Sequence, residues 1–435
     1  MPGVPARVQK FLLRRLVKHR GLFSALHDER QEGKTRHTLA VVASALLLGL
    51  VSNRRTLRDV EALTKKLSGP WRKLVPHSIS DTTLDTVLRG LRHEQLQDGL
   101  VLLNRELRRG NLMKPNPGLP INLVVVDGKN LATLDHDANG TAQPRSGDND
   151  KWQDRAPSDA SYWLAPALRA CLASTEARPC LLQMPLLPTT NETASFKAFL
   201  QSLREHYGRS EILDVLSMDA GLMSLSNADA VADAELRYIF GLKSNQPELF
   251  AEAVQVLERL ATRESPEAQS AWEKRGSNTI RRQVWRSREL RGFTNSVGPW
   301  THLEQVWLVR QTTRDKHGRA TIEDRYFASS IPWDALAGWQ ILACVRLHWA
   351  IENDVFNSLD LQWREDSGPW CTKGTAVWAL GVLRAMAYTI VQCMRRRNCR
   401  EKRGRHTWRE PLPWRELFEH IFDALRGYGV PVETA

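Results

Sequence analysis

The sequence predicts an α/β protein: a mixed five-stranded sheet flanked by helices, interrupted by a β-rich insertion and preceded by an all-helical segment. Three observations predict it. Apolar residues recur at helical spacing before Pro115 and at strand spacing after Pro120. Two apolar runs, Ile121–Val126 and Ile212–Met218, each end on an aspartate, Asp127 and Asp219. A stretch of alternating strands from Pro247 to about Pro332 then separates the second aspartate from a helical pattern that carries Glu352.

Composition bounds the class. The 435 residues are 42% apolar and 25% charged, which is globular and excludes wholesale disorder. The net charge of +12 is unevenly placed: residues 1–37 carry +6, residues 395–409 carry +7, and the other 383 sum to −1. Basic charge gathered at the two ends favours a polyanion partner, with solvated, frayed termini as the alternative. No early apolar core of a signal peptide is present, and the longest apolar run, Leu39–Val51, suits a buried helix. A cytoplasmic protein without membrane contact is therefore expected. The six cysteines form no C-x-x-C pair and no zinc spacing, so reduced, buried thiols are expected.

The elements follow in order. Residues 1–114 read as a basic arm, helical from Val8 to Leu26, and a helical, DNA-binding module. In it, an apolar helix (Leu39, Val42, Leu46, Leu50) and a second one from Thr56 to Leu67 flank a short break at Ser52-Asn53-Arg54-Arg55, as in a helix-turn-helix; simple helix packing reads the same pattern. A third helix begins near Ser80-Asp81. After the Pro115–Pro120 linker come strands at Ile121–Asp127, Tyr162–Ala173 and Arg178–Leu187, with a polar loop, Asp135–Pro157, after the first. A helix (Thr193–Tyr207), a strand (Ile212–Met218), a helix (Leu225–Glu235) and a strand (Arg237–Leu242) complete residues 121–246. The order β-β-β-α-β-α-β is that of an RNase H-like core. Residues 247–332 read as the insertion, with strands at Ile280–Ser287, Leu303–Gln311 and Ile322–Ala328. In residues 333–395 one long helix, Trp333–Leu361, carries Glu352, and an apolar helix, Gly374–Met394, closes the globular part before a basic, polar tail, 396–435.

Asp127, Asp219 and Glu352 are the candidate site. Two carboxylates at neighbouring strand ends and one on a helix lying across them form an all-oxygen donor set for hard divalent ions, which need few protein ligands. Two Mg²⁺ about 3.5–4 Å apart, with Mn²⁺ able to replace them, activate the nucleophile and stabilise the leaving oxygen of a phosphodiester. Taken singly, each aspartate is equally a strand-end cap, and the glutamate a surface helix residue. Around them Lys129, Lys243, Asn245, Gln246, Arg346 and His348 are candidate DNA contacts; a plain turn for 243–246 and a packing histidine are the alternatives. Trp339 and Trp349 read as core anchors rather than base-stacking platforms.

Four passages resemble those of bacterial insertion-sequence transposases of the DDE class, in the ISAs-type branch of the IS-four-like superfamily. They are Val126-Asp127-Gly128-Lys129; Asn191-Glu192-Thr193-Ala194; Asp219-Ala220 with Leu242-Lys243-Ser244-Asn245-Gln246; and Arg346-x-His348-Trp349-x-Ile351-Glu352-Asn353 with Leu359-Asp360 and Glu365-Asp366. Asn130 and Ala132 stand where that family usually has Thr and Arg. The resemblance implies metal-dependent nicking at transposon ends and transfer of the freed 3′-hydroxyl to target DNA. It implies Asp127, Asp219 and Glu352 as catalytic metal ligands and Glu192 as a family position whose role the residues alone do not give. It also implies double-stranded DNA as partner, as inverted-repeat ends and target, and a homodimer in a synaptic complex. A nuclease without strand transfer, or a domesticated copy that only binds DNA, are the alternative functions.

Overall fold

The computed structural model describes residues 4–17, 20–24, 26–28, 30, 33, 35–116, 118–137, 140–145, 162–208, 212–373, 375–402 and 409–427. Polar caps start many of the helices. After α1 (Val4–Leu12) come α2 (Leu39–Val51), capped by Thr38, and α3 (Leu57–Lys66), started by a reciprocal Thr56/Asp59 box. Ser80 caps α4 (Asp81–Gly90), and α5 (His93–Arg109) follows. The arm is not one helix to Leu26: α1 passes into a π-turn, Leu13–Val17, followed by a 3₁₀ turn at Arg20–Phe23.

The chain then alternates between sheet and cover: β1 (Leu123–Leu134), β2 (Gln143–Arg145), β3 (Tyr162–Leu172), β4 (Cys180–Pro185), α6 (Glu192–Tyr207), β5 (Val215–Met218), α7 (Leu225–Asp233) and β6 (Arg237–Leu242). Next come α8 (Pro247–Arg263), β7 (Ala268–Gln269), β8 (Glu273–Arg275), β9 (Asn278–Ser287), β10 (Gln305–Arg314) and β11 (Ala320–Ser329). The last elements are α9 (Gly338–His348), α10 (Asn357–Trp363), α11 (Ala376–Arg397), β12 (Arg400–Lys402), β13 (Arg409–Pro411) and α12 (Trp414–Arg426). Most of the expected polar loop, residues 138–139 and 146–157, lies outside the described residues.

The sheet is larger than the five strands expected. Eleven strands run in the order β2-β3-β1-β5-β6-β11-β10-β9-β7, with β4 on β3 and β8 on β9. The expected five, β4-β3-β1-β5-β6, are its first part: β1 pairs antiparallel with β3 and parallel with β5, and β5 pairs parallel with β6. The strands of 247–332 extend this same sheet, because β11 pairs antiparallel with β6 from Tyr326↔Leu242 to Ser329↔Ile239.

Strand alternation divides the core into two layers. Val124, Val126, Leu216 and Met218 face α6, α7 and α8. Leu123, Val125 and Val215 face the other way, into a cluster with α2, α5, α9 and α11. At the centre of that layer is α11, whose residues from Ala376 to Met394 are all buried. It is long and apolar enough to cross a membrane, but every residue of its apolar stretch is covered by protein. The residues expected as a polar tail include α12, whose Leu417, Ile421 and Leu425 are buried and which packs on α1.

The expected helix Trp333–Leu361 is four pieces: a 3₁₀ turn at Trp333–Ala335, α9, a π-turn from Ile351 to Phe356, and α10. The turn after α10 is fixed by a buried ion pair. Arg169 of β3 donates to both oxygens of Glu365 at 2.7 and 2.8 Å, and both side chains are 0% exposed. Burial opposes the Arg169 charge, but the Glu365 carboxylate more than offsets it. Arg384 of α11 adds a bond to the Glu365 carbonyl at 3.0 Å. Removing one partner leaves a buried charge alone. Glu365→Ala is therefore expected to cost about 3–5 kcal/mol in urea unfolding; a loss below about 1 kcal/mol would show that the pair does not hold this turn.

Candidate active site

The register of the parallel pair β1–β5 brings the two aspartates together. Val126 lies opposite Met218, so Asp127 and Asp219 are the next residues on adjacent strands, about 4.8 Å apart across the ladder. Asp127 shares a face with Leu123 and Val125, and Asp219 with Val215 and Ser217. Both therefore face the layer that contains α9. Local bonds fix each carboxylate: Asp127 Oδ1 accepts from the Gly128 N–H at 2.8 Å, and Asp219 Oδ1 from the Gly221 N–H at 2.9 Å.

Glu352 reaches the same face from the π-turn after α9, and it lines a cavity with Asp219, Lys243 and His348. What positions it is His348, one turn earlier. The buried imidazole bonds through Nδ1 to Ser217 Oγ at 3.0 Å, tying the α9 end to the strand that ends at Asp219. Burial lowers the His348 pKa to about 4. The ring is therefore neutral at ordinary pH and packs as an anchor, not as a cationic phosphate contact.

Residue type alone does not give Glu192 a role; its place in the fold does. It is the first residue of α6, capped by Asn191, and it comes from the opposite layer. Gly128 faces that layer, and a Cβ there would stand 1.7 Å from Glu192 Oε1. The missing side chain thus admits a fourth carboxylate beside Asp127. Thr193 Oγ1 then donates to the Gly221 carbonyl at 2.6 Å, pinning α6 to the turn after Asp219.

That turn is held from its other side by residues expected to touch DNA. Asn245 Nδ2 donates to the Ala220 carbonyl at 2.6 Å, and Gln246 Nε2 to the Met223 carbonyl at 3.0 Å. Their amides are directed into protein. Lys129 is likewise turned inward, its Nζ 2.6 and 2.7 Å from the Asp360 oxygens. Lys243 is exposed, and Arg346 is half-exposed and paired with Glu273 at 2.7 Å. Trp339 is not a core anchor: it is 54% exposed, while Trp349 is half-buried beneath the Arg325 guanidinium, 4.1 Å from its ring.

The electrostatics are one-sided. Two cations share the Asp127 face, Arg169 directly across the β1–β3 pair and Lys129 two residues along, yet Glu365 and Asp360 hold them. Among the described residues none of Asp127, Glu192, Asp219 and Glu352 makes an ion pair. Burial, then the charges of Asp219, Glu352 and Glu192, push the Asp127 pKa up to about 8. Burial and the Asp219 charge also raise Glu192. This uncompensated, all-carboxylate cluster fits a hard divalent cation, which would supply the missing positive charge. Among the described residues no three acidic, His or Cys side chains already form a closed cage. Mg²⁺ does not require one, since it keeps water and substrate oxygens among its ligands.

Two predictions test this geometry. Folded Asp127 keeps a proton that the unfolded chain releases near 3.8, so its contribution to stability falls as pH rises from about 4 to about 8 and is level above that. Without divalent ions, Asp127→Asn is expected to melt at least ~2 °C above the parent at pH 8.5, a gain that fades toward pH 4; a difference that ignores pH would refute the buried cluster. Gly128→Ala is expected to cost about 1 kcal/mol, at the low end of overpacking because a side-chain tip gives way. In a Glu192→Ala background that cost should disappear; if it persists, Glu192 does not occupy the space over Gly128.

A piggyBac transposase in a synaptic complex with hairpin DNA, solved by cryo-EM, is similar with a TM-score of 0.40 and 12% identity, over 97% of this chain and 80% of that one. No curated protein matches the sequence. Residues 119–390, more than half of the chain and the stretch that holds all three acids, match the family described as the transposase DDE domain. The chain belongs to that transposase family.

Proposed function

We propose that this transposase cleaves DNA at the ends of an insertion sequence and transfers the freed 3′-hydroxyl to target DNA. The observation that carries the reading is the cluster without ion-pair partners: Asp127 and Asp219, each the next residue after the last β1–β5 pair, with Glu352 facing them across the cavity that it lines with Asp219. These three would hold two Mg²⁺ ions, or Mn²⁺, which when bound supply Lewis-acid stabilisation of the phosphoryl oxygens and an activated oxygen nucleophile. The residues around them do the positioning. The Gly128 and Gly221 amides orient the two aspartates, and neutral His348 holds the Glu352 turn against β5. Exposed Lys243 is a cation available to a phosphate at the mouth.

The order and senses of β4-β3-β1-β5-β6 support an RNase H-like core in residues 121–246 and 333–395. Residues 1–114 are then the helical DNA-binding part, 247–332 the insertion and 396–435 the terminal part. The Arg-x-His-Trp-x-Ile-Glu-Asn block supports the ISAs-type branch, and with it double-stranded DNA as partner, a homodimer in the synaptic complex and a bacterial cytoplasmic setting.

Strand cleavage of terminal-repeat DNA in Mg²⁺ tests the reading. Losing even an outer-shell partner costs 10–100-fold, so Asp127→Asn, Asp219→Asn and Glu352→Gln should each lose more than ~100-fold. Parental cleavage in any of them would overturn the assignment. Products joined to added target DNA distinguish a transposase from a hydrolytic nuclease, and binding without cleavage even in Mn²⁺ would mark a DNA-binding copy only.

A further inference from the structure

A second cleft, of about 600 Å³, adjoins the acid site, and Arg325, Trp349 and Glu352 line both. Its floor is the sheet extension. Arg282 of β9 lies opposite Gln311 of β10, and Arg325 of β11 lies opposite Val309, two residues along, so all project to one face. The same face is covered by α9, which contributes Trp339 and Arg346 to the walls. Arg275, at the end of β8, stands at the rim, exposed.

The cations here exceed their partners. One carboxylate, Glu273, is shared by Arg346 at 2.7 Å and Arg282 at 3.6 Å. Arg325 pairs with Glu323 at 2.7 Å, Arg178 pairs with Asp354, and among the described residues Arg275 has no ion-pair partner. Arg282 is 7% exposed, and its buried Nε has no hydrogen-bond partner. Burial lowers its pKa first, then the charge of Arg346; Glu273 opposes this, and Arg275 and Arg325 add to it. A buried guanidinium with an unspent donor, which shares its one carboxylate with Arg346 and is repelled by three other arginines, is suited to a further anion.

We propose that this cleft seats the phosphodiester backbone of a DNA strand as it leaves the acid site, with successive phosphates on Arg325, Arg282 and the Arg275/Arg346 rim. The inference rests on the reading that the acid cluster acts on DNA. Two features favour a polymer over a small anion: its cations run across successive strands from Arg325 on β11 to Arg282 on β9 and Arg275 on β8, and it is continuous with the acid site across the Arg325–Trp349 stack. The stack itself is a cation over an aromatic face, which holds the guanidinium flat at the junction of the two clefts while Nε and Nη2 donate to Glu323 at 2.9 and 2.7 Å. Guanidinium forks contact phosphates without regard to base, so the seat adds affinity and register but no sequence preference.

The test is fluorescence-anisotropy binding of labelled DNA to the full chain without divalent ions, repeated over a range of NaCl concentrations. Arg275→Gln with Arg346→Gln alters two accessible side chains and keeps the core intact. Each phosphate that the protein no longer neutralises lowers the slope of log affinity against log salt by about 0.7–0.9, so the double variant should fall by about 1.4–1.8. The fall should be equal for every DNA sequence tried. Arg282→Gln should lower the slope further if it folds, as judged by its melting curve. An unchanged slope in the double variant overturns the cleft, as does a weakening confined to one DNA sequence. The two readings fail separately: DNA cleaved with the slope unchanged removes the cleft alone, and a lowered slope with no cleavage by the parent removes the enzymatic reading alone.

Discussion

Everything at the acid site depends on where Arg169 spends its charge. It lies directly across the β1–β3 pair from Asp127, on the same face, and could neutralise that carboxylate. Instead Nη1 and Nη2 both donate to Glu365, Nη2 also donates to Gln183, and two positions beyond Asp127, Asp360 takes Lys129. Both carboxylates come from the segment just after Glu352. One stretch of chain thus delivers the third acid and withdraws the two cations that would have quenched the first. A desolvated aspartate with a pKa near 8 is a cost to the fold, and the buried pair beside it is no certain gain. Together they leave a concentrated negative charge where a cation can act, which is how function-bearing sites depart from stability-optimal ones.

The helical layers are built to hold this arrangement still. First-part helices α2 and α5 pack on α11, near the end of the chain, and α1 packs on α12. Trp363 of α10 donates to the Leu50 carbonyl at 2.8 Å, joining the helix after Glu352 to α2. The segment carrying the third acid is therefore braced on one side by β5 through His348–Ser217 and on the other by residues more than 300 positions earlier. Such long-range ties suit a site whose three acids come from distant parts of the sequence.

Much of this was legible from residues alone. Apolar runs before Asp127 and Asp219 marked two adjacent parallel strands, because a buried parallel strand reads as a continuous apolar stretch; but only the pairing with β5 stops at Val126, and β1, expected to end at Asp127, runs on to Leu134 against β3, where its residues are more polar. Periodicity could not say which edge a later strand joins, so 247–332 read as a separate insertion although β11 continues from β6. Nor could it show the break between His348 and Asn357, since no Gly or Pro marks it. Asn245, Gln246 and Lys129 looked like DNA contacts because sequence gives a side chain's chemistry but not its partner; the turn carbonyls and Asp360 claim them. Helix α12 went unseen beneath the basic composition around it, although Leu417, Ile421 and Leu425 are spaced for one buried face.

The π-turn at Ile351–Phe356 has one more implication. A π-turn is an α-helix carrying one residue too many, a bulge that persists because something nearby needs the altered phase. Here the phase aims Glu352 toward Asp127 and Asp219 while α10 and the turn after it still deliver Asp360 and Glu365 to their cations. Deleting a single residue between Trp349 and Asn357 would let the helix run straight and turn one of these groups by about 100° relative to the other. Beyond Glu352 and the buried Ile351, Val355 and Phe356, what this segment must keep is therefore its length: its residue count is the spacer that keeps acid and counter-charges in step.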